Sequence, residues 1–145
     1  MNQVVVLSSS RRFNKLEREL KSVITSALIY LRRSSAYVEI YLVSDIMMKS
    51  LNSRFRGRRR VTNVLSFNMN KDFFNSPPKV LHKHLGEIYL TPDYIRNRHE
   101  DLGYLAIHGL LHLLGYAHNK KRDRIKMESL ESGILRRLRR FNRKA

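Results

Sequence analysis

The alternation of apolar and polar positions predicts that strands and helices are interleaved along this chain. The run VVVL at residues 4–7 is short and β-branched, and AYVEIYLVS at 36–44 alternates as a half-buried strand does. Between them, residues 13–32 carry apolar side chains at the three- and four-residue spacing of a helix. The start of the chain therefore predicts a strand, a helix and a second strand.

The same kind of pattern continues to the C-terminus. NSPP at 75–78 predicts an exposed loop within residues 71–80. Asp45 is predicted to cap one helix, and Thr91 followed by Pro92 predicts the start of another. The predicted strands cover residues 4–7, 36–44, 61–69 and 86–90. The predicted helices cover residues 13–32, 46–55, 101–114 and 121–140, with one more opening at Thr91.

These elements predict the fold class and the domain organisation. A length of 145 residues suits about one domain. We expect an α+β fold in a single domain over residues 1–145, with a small twisted mixed sheet packed against helices. A basic tail is expected from about residue 136, where the sequence reads RRLRRFNRKA.

Charge and cysteine content narrow the classes of protein further. Lys and Arg number 29 against 12 Asp and Glu, a formal net charge of +17. That excess favours polyanionic partners, with nucleic acid ahead of an anionic membrane surface. No apolar run is long enough to cross a bilayer and the N-terminus lacks the order of a signal peptide, so we expect a cytoplasmic protein without a membrane role. The absence of cysteine excludes disulfides and thiolate metal sites.

The stretch HGLLHLLGYAH at residues 108–118 carries the candidate chemistry. His108 and His112 are four residues apart, so on a helix they project from one face. Gly115 can end that helix, and the turn after it can return His118 to the same point. Three imidazole ligands with a fourth position left for water are typical of a catalytic zinc site. The alternative is a buried, hydrogen-bonded histidine pair with an unrelated third.

One position separates this stretch from the long zinc-peptidase motif H-E-x-x-H-x-x-G-x-x-H. Gly109 stands where a peptidase carries its general-base glutamate. Without that carboxylate, nothing on this helix can take a proton from the reacting water. The metal site is therefore retained as a prediction, and a peptidase activity is weakened.

Four segments resemble the YbeY family of bacterial rRNA maturation factors. HGLLHLLGYAH is similar to the family signature H-G-x-L-H-L-x-G-Y-D-H, and LNSRFRGRRRVTNVLSF at 51–67 resembles L-N-x-x-Y-R-x-x-x-x-x-T-D-V-L-S-F. LGEIYLTPD at 85–93 is similar to the family's G-D-I strand. The family's closing helix resembles the segment that contains Met127, Glu128, Leu130, Glu131 and Ile134.

The resemblance implies a specific activity and cofactor. Members of the family are single-domain, metal-dependent hydrolases described as endoribonucleases of ribosome biogenesis, acting at the 3′ end of small-subunit rRNA. By position, His108, His112 and His118 would bind one Zn²⁺ per chain, with no small-molecule cofactor. The expected partners are an rRNA precursor and the ribosome or its small subunit.

Arg56 would be the arginine of the family's Y-R pair. A guanidinium near the metal can hold a phosphate through two hydrogen bonds and stabilise charge in the transition state. The alternative is one more solvated arginine in a basic run. That run and the basic tail would hold the RNA backbone, and its other members are Arg54, Arg58, Arg59 and Arg60.

Three positions depart from the family pattern, because Ala117, Asn63 and Glu87 stand where it has aspartate. The first two changes either remove a partner that orients a histidine or fall at structural caps. No general base stands out, and Glu87 is the carboxylate considered for that role. Three other histidines lack ligand spacing and are assigned no role: His82, His84 and His99.

Three alternatives to a metal-dependent endoribonuclease remain open from sequence. The spacing also fits a zinc metallopeptidase-like hydrolase. The charge also fits a non-catalytic RNA- or ribosome-binding factor in which the metal is structural. A membrane-surface protein fits the charge alone.

Overall fold

The computed structural model describes residues 1–69, 83–116 and 120–144, with side chains as far as residue 139. The predicted loop around NSPP lies outside the described residues. So do His82, Ala117 and His118, to which the sequence directed attention.

Strands and helices are interleaved as the sequence predicts. The strands are β1 (Gln3–Ser8), β2 (Ala36–Leu42), β3 (Val64–Asn68) and β4 (Lys83–Leu90). The α-helices are α1 (Asn14–Tyr30), α2 (Asp45–Arg56), α3 (Pro92–Asn97), α4 (Leu102–Leu113) and α5 (Lys121–Lys144), and a 3₁₀ turn at Arg11–Phe13 precedes α1. The α+β prediction is confirmed, whereas the extent of the domain over residues 1–145 stays a prediction.

The four strands form one mixed sheet in the order β1-β2-β4-β3. β2 runs parallel to both β1 and β4, and β3 pairs antiparallel with β4 at the edge of the sheet. A register shift between Tyr37 and Val38 lets the pairing of β2 and β4 continue beyond Gly86 to Lys83. β4 therefore begins three residues before the predicted strand.

Alternation along β2 divides the protein into two layers of packing. Val38, Ile40 and Leu42 face the main core, which also contains buried side chains of α1, α4 and α5. Tyr41 points to the other face, where it joins a smaller cluster around Met48 of α2. α4 lies deep in the main core, where each fully buried leucine or isoleucine contributes about 1.5–3 kcal/mol.

Helix starts differ from the predictions in two details. Ser44, not Asp45, caps α2, because its backbone is extended and its hydroxyl accepts a hydrogen bond from the Met47 amide at 3.2 Å. Thr91 does occupy the N-cap position of α3, but its hydroxyl donates to the Thr62 carbonyl at 2.6 Å instead of capping the helix. The prediction for Asp45 was wrong because two adjacent capping residues offer the same local signal.

α5 is longer than the sequence predicts, since its backbone remains helical to Lys144. The residues expected to form a basic tail from about 136 are thus part of a helix as far as they are described. Among the helices of the described ranges, none combines the length and apolar character needed to cross a membrane.

Candidate functional site

α4 brings two of the three predicted ligands together. Its first turn is fixed by Asp101, whose carboxylate accepts a hydrogen bond from the Tyr104 amide at 2.9 Å. One turn apart on the rim of the main core, the rings of His108 and His112 lie with centroids 4.7 Å apart at 70°. Their Nε2 atoms approach to 3.1 Å. The two Nε2 atoms therefore converge on one point, as the four-residue spacing predicts.

A buried carboxylate from α5 holds the other side of the first histidine. Oε1 of Glu131 lies 3.3 Å from Nδ1 of His108, and Glu131 is only 1% exposed. A buried glutamate is stabilised when it is hydrogen-bonded, so it favours the tautomer that places the His108 proton on Nδ1. That tautomer leaves the Nε2 lone pair of His108 directed at His112.

Tyr104 adds a third group to this arrangement. Its ring centroid lies 6.4 Å from that of His108 at a shallow interplanar angle of 28°. A hydrogen bond to Glu131, burial and the charge of that carboxylate raise the pKa of Tyr104 to about 12. Its hydroxyl therefore stays protonated near neutral pH.

The donor set fits a zinc ion as far as it is described. Two nitrogens bound to one tetrahedral zinc at about 2.0–2.1 Å lie about 3.3 Å apart. The two Nε2 atoms are 3.1 Å apart, which is close to that distance. A carboxylate behind a ligand histidine is the usual way in which its orientation and tautomer are fixed. The described residues contain no group of three or more metal-ligating side chains, and His118 lies outside them.

Gly109 faces the sheet rather than the converging histidines. A Cβ built there would lie 3.0 Å from Ile88 Cγ2 and 3.4 Å from Val64 Cγ2. Glycine thus allows α4 to approach β3 and β4 closely, and a glutamate at this position would start from a crowded contact with the sheet. The position that carries the base in zinc peptidases is here a packing position.

Arg56 and His112 line the same cleft. The cleft holds about 500 Å³ at the edge formed by β3, and its described lining is Phe55, Arg56, Ser66, Phe67, Asn68 and His112. At the end of α2, the Arg56 guanidinium donates to the Ser66 carbonyl at 3.3 Å and lies 5.7 Å from the centroid of the Phe67 ring. These contacts aim Arg56 along the wall of the cleft.

The rest of the predicted basic run is exposed beside this cleft. Arg54 lies in the last turn of α2, and Gly57 ends the helix in the left-handed conformation with φ 68°. Asn52, which is 3% exposed, then fixes the loop, because its side chain donates to the Arg60 carbonyl at 2.9 Å. Asn52 is not among the residues that the sequence singled out. The only signal for it is that a polar residue occupies a position on the inner, apolar face of α2.

Asn52 also organises the other arginines of the run, through its main chain as well as its side chain. The backbone amide of Arg58 donates to the Asn52 carbonyl at 3.2 Å, so both ends of the segment 58–60 are tied to α2. Arg58, Arg59 and Arg60 are all exposed. Their backbone is held while their guanidinium groups remain open to solvent.

Two other positions from the sequence have structural partners. Glu87 accepts a hydrogen bond from the Tyr89 hydroxyl at 2.8 Å and is not among the described residues that line the cleft, which gives it no support as a general base. Asn63 accepts from the Val64 amide at 2.7 Å and donates to Glu100 at 3.3 Å. At Asn63 the structure therefore shows a capping contact at the start of β3.

Comparison with known proteins identifies relatives over nearly the whole chain. The family model for Endoribonuclease YbeY matches residues 6–139. Endoribonuclease YbeY of Persephonella marina is 27% identical, with 97% of this chain and 95% of that protein covered. The protein of the same name from Anaplasma marginale is 37% identical over 70% of this chain and 66% of its own length.

A solved structure shares the fold. The solution structure of TM1509 from Thermotoga maritima superimposes with a TM-score of 0.57 at 26% identity, covering 99% of this chain and 96% of that one. The sequence motifs cover residues 51–135, whereas this structural similarity also includes the N-terminal strands and helix. The chain belongs to the Endoribonuclease YbeY family.

Proposed function

We propose that this protein is a zinc-dependent endoribonuclease that hydrolyses single-stranded RNA during rRNA processing in the cytoplasm. The observation that carries the proposal is the cleft that joins a converging histidine pair to an arginine. His112 and Arg56 line it together, and the His108 Nε2 lies 3.1 Å from that of His112. The matching relatives are named Endoribonuclease YbeY, which agrees with this chemistry.

In this proposal His108, His112 and His118 hold one zinc ion. Bound there, zinc supplies Lewis acidity and lowers the pKa of water toward about 7. Glu131 accepts from Nδ1 of His108, which orients the ring and leaves Nε2 directed at the ion. Tyr104, with its raised pKa, keeps a neutral hydroxyl near that buried carboxylate.

Arg56 binds the phosphate whose bond is broken. A guanidinium offers two parallel N–H donors to phosphate oxygens and can stabilise the charge that develops on them. The Ser66 carbonyl holds one of its nitrogens, which restricts the side chain to the cleft wall. Arg54, Arg58, Arg59 and Arg60 lie exposed alongside and attract the RNA backbone.

The finer identity of the substrate rests on the resemblance to the family. We assign the chain to maturation of the 3′ end of small-subunit rRNA, with the ribosome or its small subunit as partner. The net charge of +17 supports a polyanionic partner of this kind.

The packing of Gly109 argues against a peptidase, because the general base of that class would start from a crowded contact with the sheet. A non-catalytic RNA-binding factor with a structural metal is the second candidate. One observation favours this second candidate: the described residues of the cleft lining include no carboxylate that could act as a general base.

The test is cleavage of a single-stranded RNA that carries the small-subunit 3′ end, measured with bound zinc, with chelator, and with zinc restored. Casein is incubated in parallel as a peptidase substrate. His112→Ala is compared with His84→Ala, which removes a histidine from the opposite face of the sheet. We expect cleavage of RNA only by the zinc-loaded wild type and His84→Ala.

Each other outcome assigns a different function. Cleavage that survives chelation and the His112→Ala change would place the activity elsewhere. Hydrolysis of casein with no cleavage of RNA would identify a peptidase. Tight RNA binding with no cleavage in zinc would identify the non-catalytic factor.

A further inference from the structure

Two phenylalanines form the apolar part of the cleft wall. Phe55 lies in the last turn of α2 and Phe67 in the edge strand β3, and their ring centroids are 5.3 Å apart at 62°. Phe67 also meets Tyr89 edge-on at 5.7 Å, which fixes it from the far side. This edge-to-face geometry is a favourable arrangement for aromatic rings. Phe67 is therefore a supported ring, and Phe55 rests on it.

Phe55 remains largely exposed despite this contact. Its relative exposure is 55%, and it lies between Arg54 and Arg56 in the last turn of α2. Single exposed apolar residues are common, but an aromatic ring that extends a supported aromatic cluster into a cleft is typical of a binding surface. Within the described residues, packing leaves about half of this ring uncovered.

The neighbouring groups indicate which ligand covers Phe55. Arg56 follows it directly and lies 5.7 Å from the Phe67 ring centroid, so a phosphate-binding cation and the aromatic rings share one wall. The described lining contains no carboxylate, and Ser66 and Asn68 add hydrogen-bonding groups beside the rings. An anionic ligand with flat aromatic groups suits this combination better than an apolar peptide side chain does.

We infer that Phe55, supported by Phe67, is a stacking platform for a nucleobase adjacent to the phosphate that Arg56 binds. The inference deepens the proposed function and rests on it. In a single strand each base is joined to its phosphate through one sugar, so a base can stack on Phe55 while the phosphate contacts the next residue, Arg56. Stacking on an aromatic side chain tolerates any base because every base has a π face.

A tryptophan reporter tests stacking directly, because the chain contains no tryptophan. Phe55→Trp is titrated with a short single-stranded oligoadenylate in the presence of chelator, so that no turnover occurs. The matched titration uses an abasic oligomer of the same length and charge. Ile29→Trp is the control, since Ile29 is 53% exposed on α1 and does not line the cleft.

We expect oligoadenylate to quench the indole introduced at position 55 and the abasic oligomer to leave it nearly unchanged. The Ile29→Trp signal should respond to neither. Equal responses to both oligomers, or equal responses of both variants, would overturn the inference. Quenching by peptides from digested casein, but not by RNA, would assign the surface to a peptide instead.

Affinity supplies a second measurement with the native aromatic ring as reference. Phe55→Ala and Phe55→Leu should each weaken oligoadenylate binding by about 5-fold to 150-fold, since one stacked base contributes on that order. Phe55→Leu retains an apolar side chain against Phe67 but has no π face, so it separates stacking from simple packing. Ile29→Ala should bind as the wild type does.

The salt dependence distinguishes stacking from loss of charge. Removing Phe55 deletes no phosphate contact, so the slope of log K against log salt should be unchanged while the affinity falls. Wild-type affinity in both Phe55 variants would overturn the platform even if the protein cleaves RNA. Conversely, quenching and weaker binding without any cleavage by the wild type would leave the platform standing and refute the nuclease.

Discussion

A histidine–glutamate pair lies on each side of the sheet, and only one of the two pairs belongs to the candidate site. On the face covered by α4, Nδ1 of His108 lies 3.3 Å from Glu131, whose side chain is 2% exposed. On the other face, Nε2 of His84 lies 3.6 Å from Glu39, whose side chain is 20% exposed. The histidines themselves are similarly exposed, at 22% and 25%.

The difference lies in which nitrogen meets the carboxylate and in what faces the other nitrogen. Glu131 takes Nδ1 of His108, so Nε2 is directed to His112. Glu39 lies nearest Nε2 of His84 at a distance too long for a hydrogen bond, and that ring packs edge-on against Tyr37. A histidine beside a glutamate is therefore not enough to mark a candidate metal site. A second converging nitrogen and a buried, orienting carboxylate are what distinguish the face with α4.

The largest expected effect is on metal content. His112→Ala should reduce bound zinc from about one per chain to nearly none, because it removes one of the converging nitrogens. His84→Ala should leave the zinc content unchanged. The measurement is elemental analysis of freshly purified protein, with circular dichroism to confirm folding. Equal zinc in wild type and His112→Ala would remove the proposed distinction between the two faces.

The next effect concerns the rate of RNA cleavage in the cleft. Arg56→Lys should lower the cleavage rate at saturating RNA on the order of a hundredfold to a thousandfold, because a point charge cannot reproduce the two-donor fork. RNA affinity and zinc content should change little. Arg58→Lys is the matched variant. Because Arg58 contacts only the RNA backbone in this proposal, its replacement should lower the cleavage rate at most a few-fold. Equal rates in the two variants would make Arg56 an ordinary surface arginine.

A smaller effect is expected when each carboxylate is neutralised. Glu131→Gln should weaken zinc binding about 10-fold to 100-fold, which is typical for the loss of a group that orients a ligand histidine. Glu39→Gln should leave zinc affinity as in the wild type. Competition with a coloured chelator measures both affinities. Unchanged zinc affinity in Glu131→Gln would show that Glu131 only fills the core. Equal losses of zinc affinity in Glu131→Gln and Glu39→Gln would indicate a general effect of charge.

The smallest effect is expected on stability, when the pair formed by His84 and Glu39 is disrupted. His84→Gln should change the free energy of unfolding by less than about 1 kcal/mol, because a partly exposed pair at this distance contributes little. Urea denaturation of zinc-free protein measures this change without any contribution from bound metal. A loss well above that value would show that His84 and Glu39 form a structural pair.

Sequence alone determined the features that depend on near neighbours along the chain. Apolar periodicity predicted the order of strands and helices, and the four-residue spacing of His108 and His112 predicted a shared helix face that the structure confirms. These predictions succeed because helices and strands have fixed periods. Their ends are less certain, as Ser44 shows, because adjacent polar residues carry the same capping signal.

The tertiary structure decided the contacts between residues that are distant in sequence. Glu131 lies 23 residues beyond His108, and Phe67 reaches Phe55 from a different element. Neither pairing can be read from local spacing, because it depends on how α5 packs on α4 and how β3 lies against α2. The fold likewise decided that Gly109 faces the sheet and that His84 lies against Tyr37 and Glu39, since these contacts depend on which side of each element is buried.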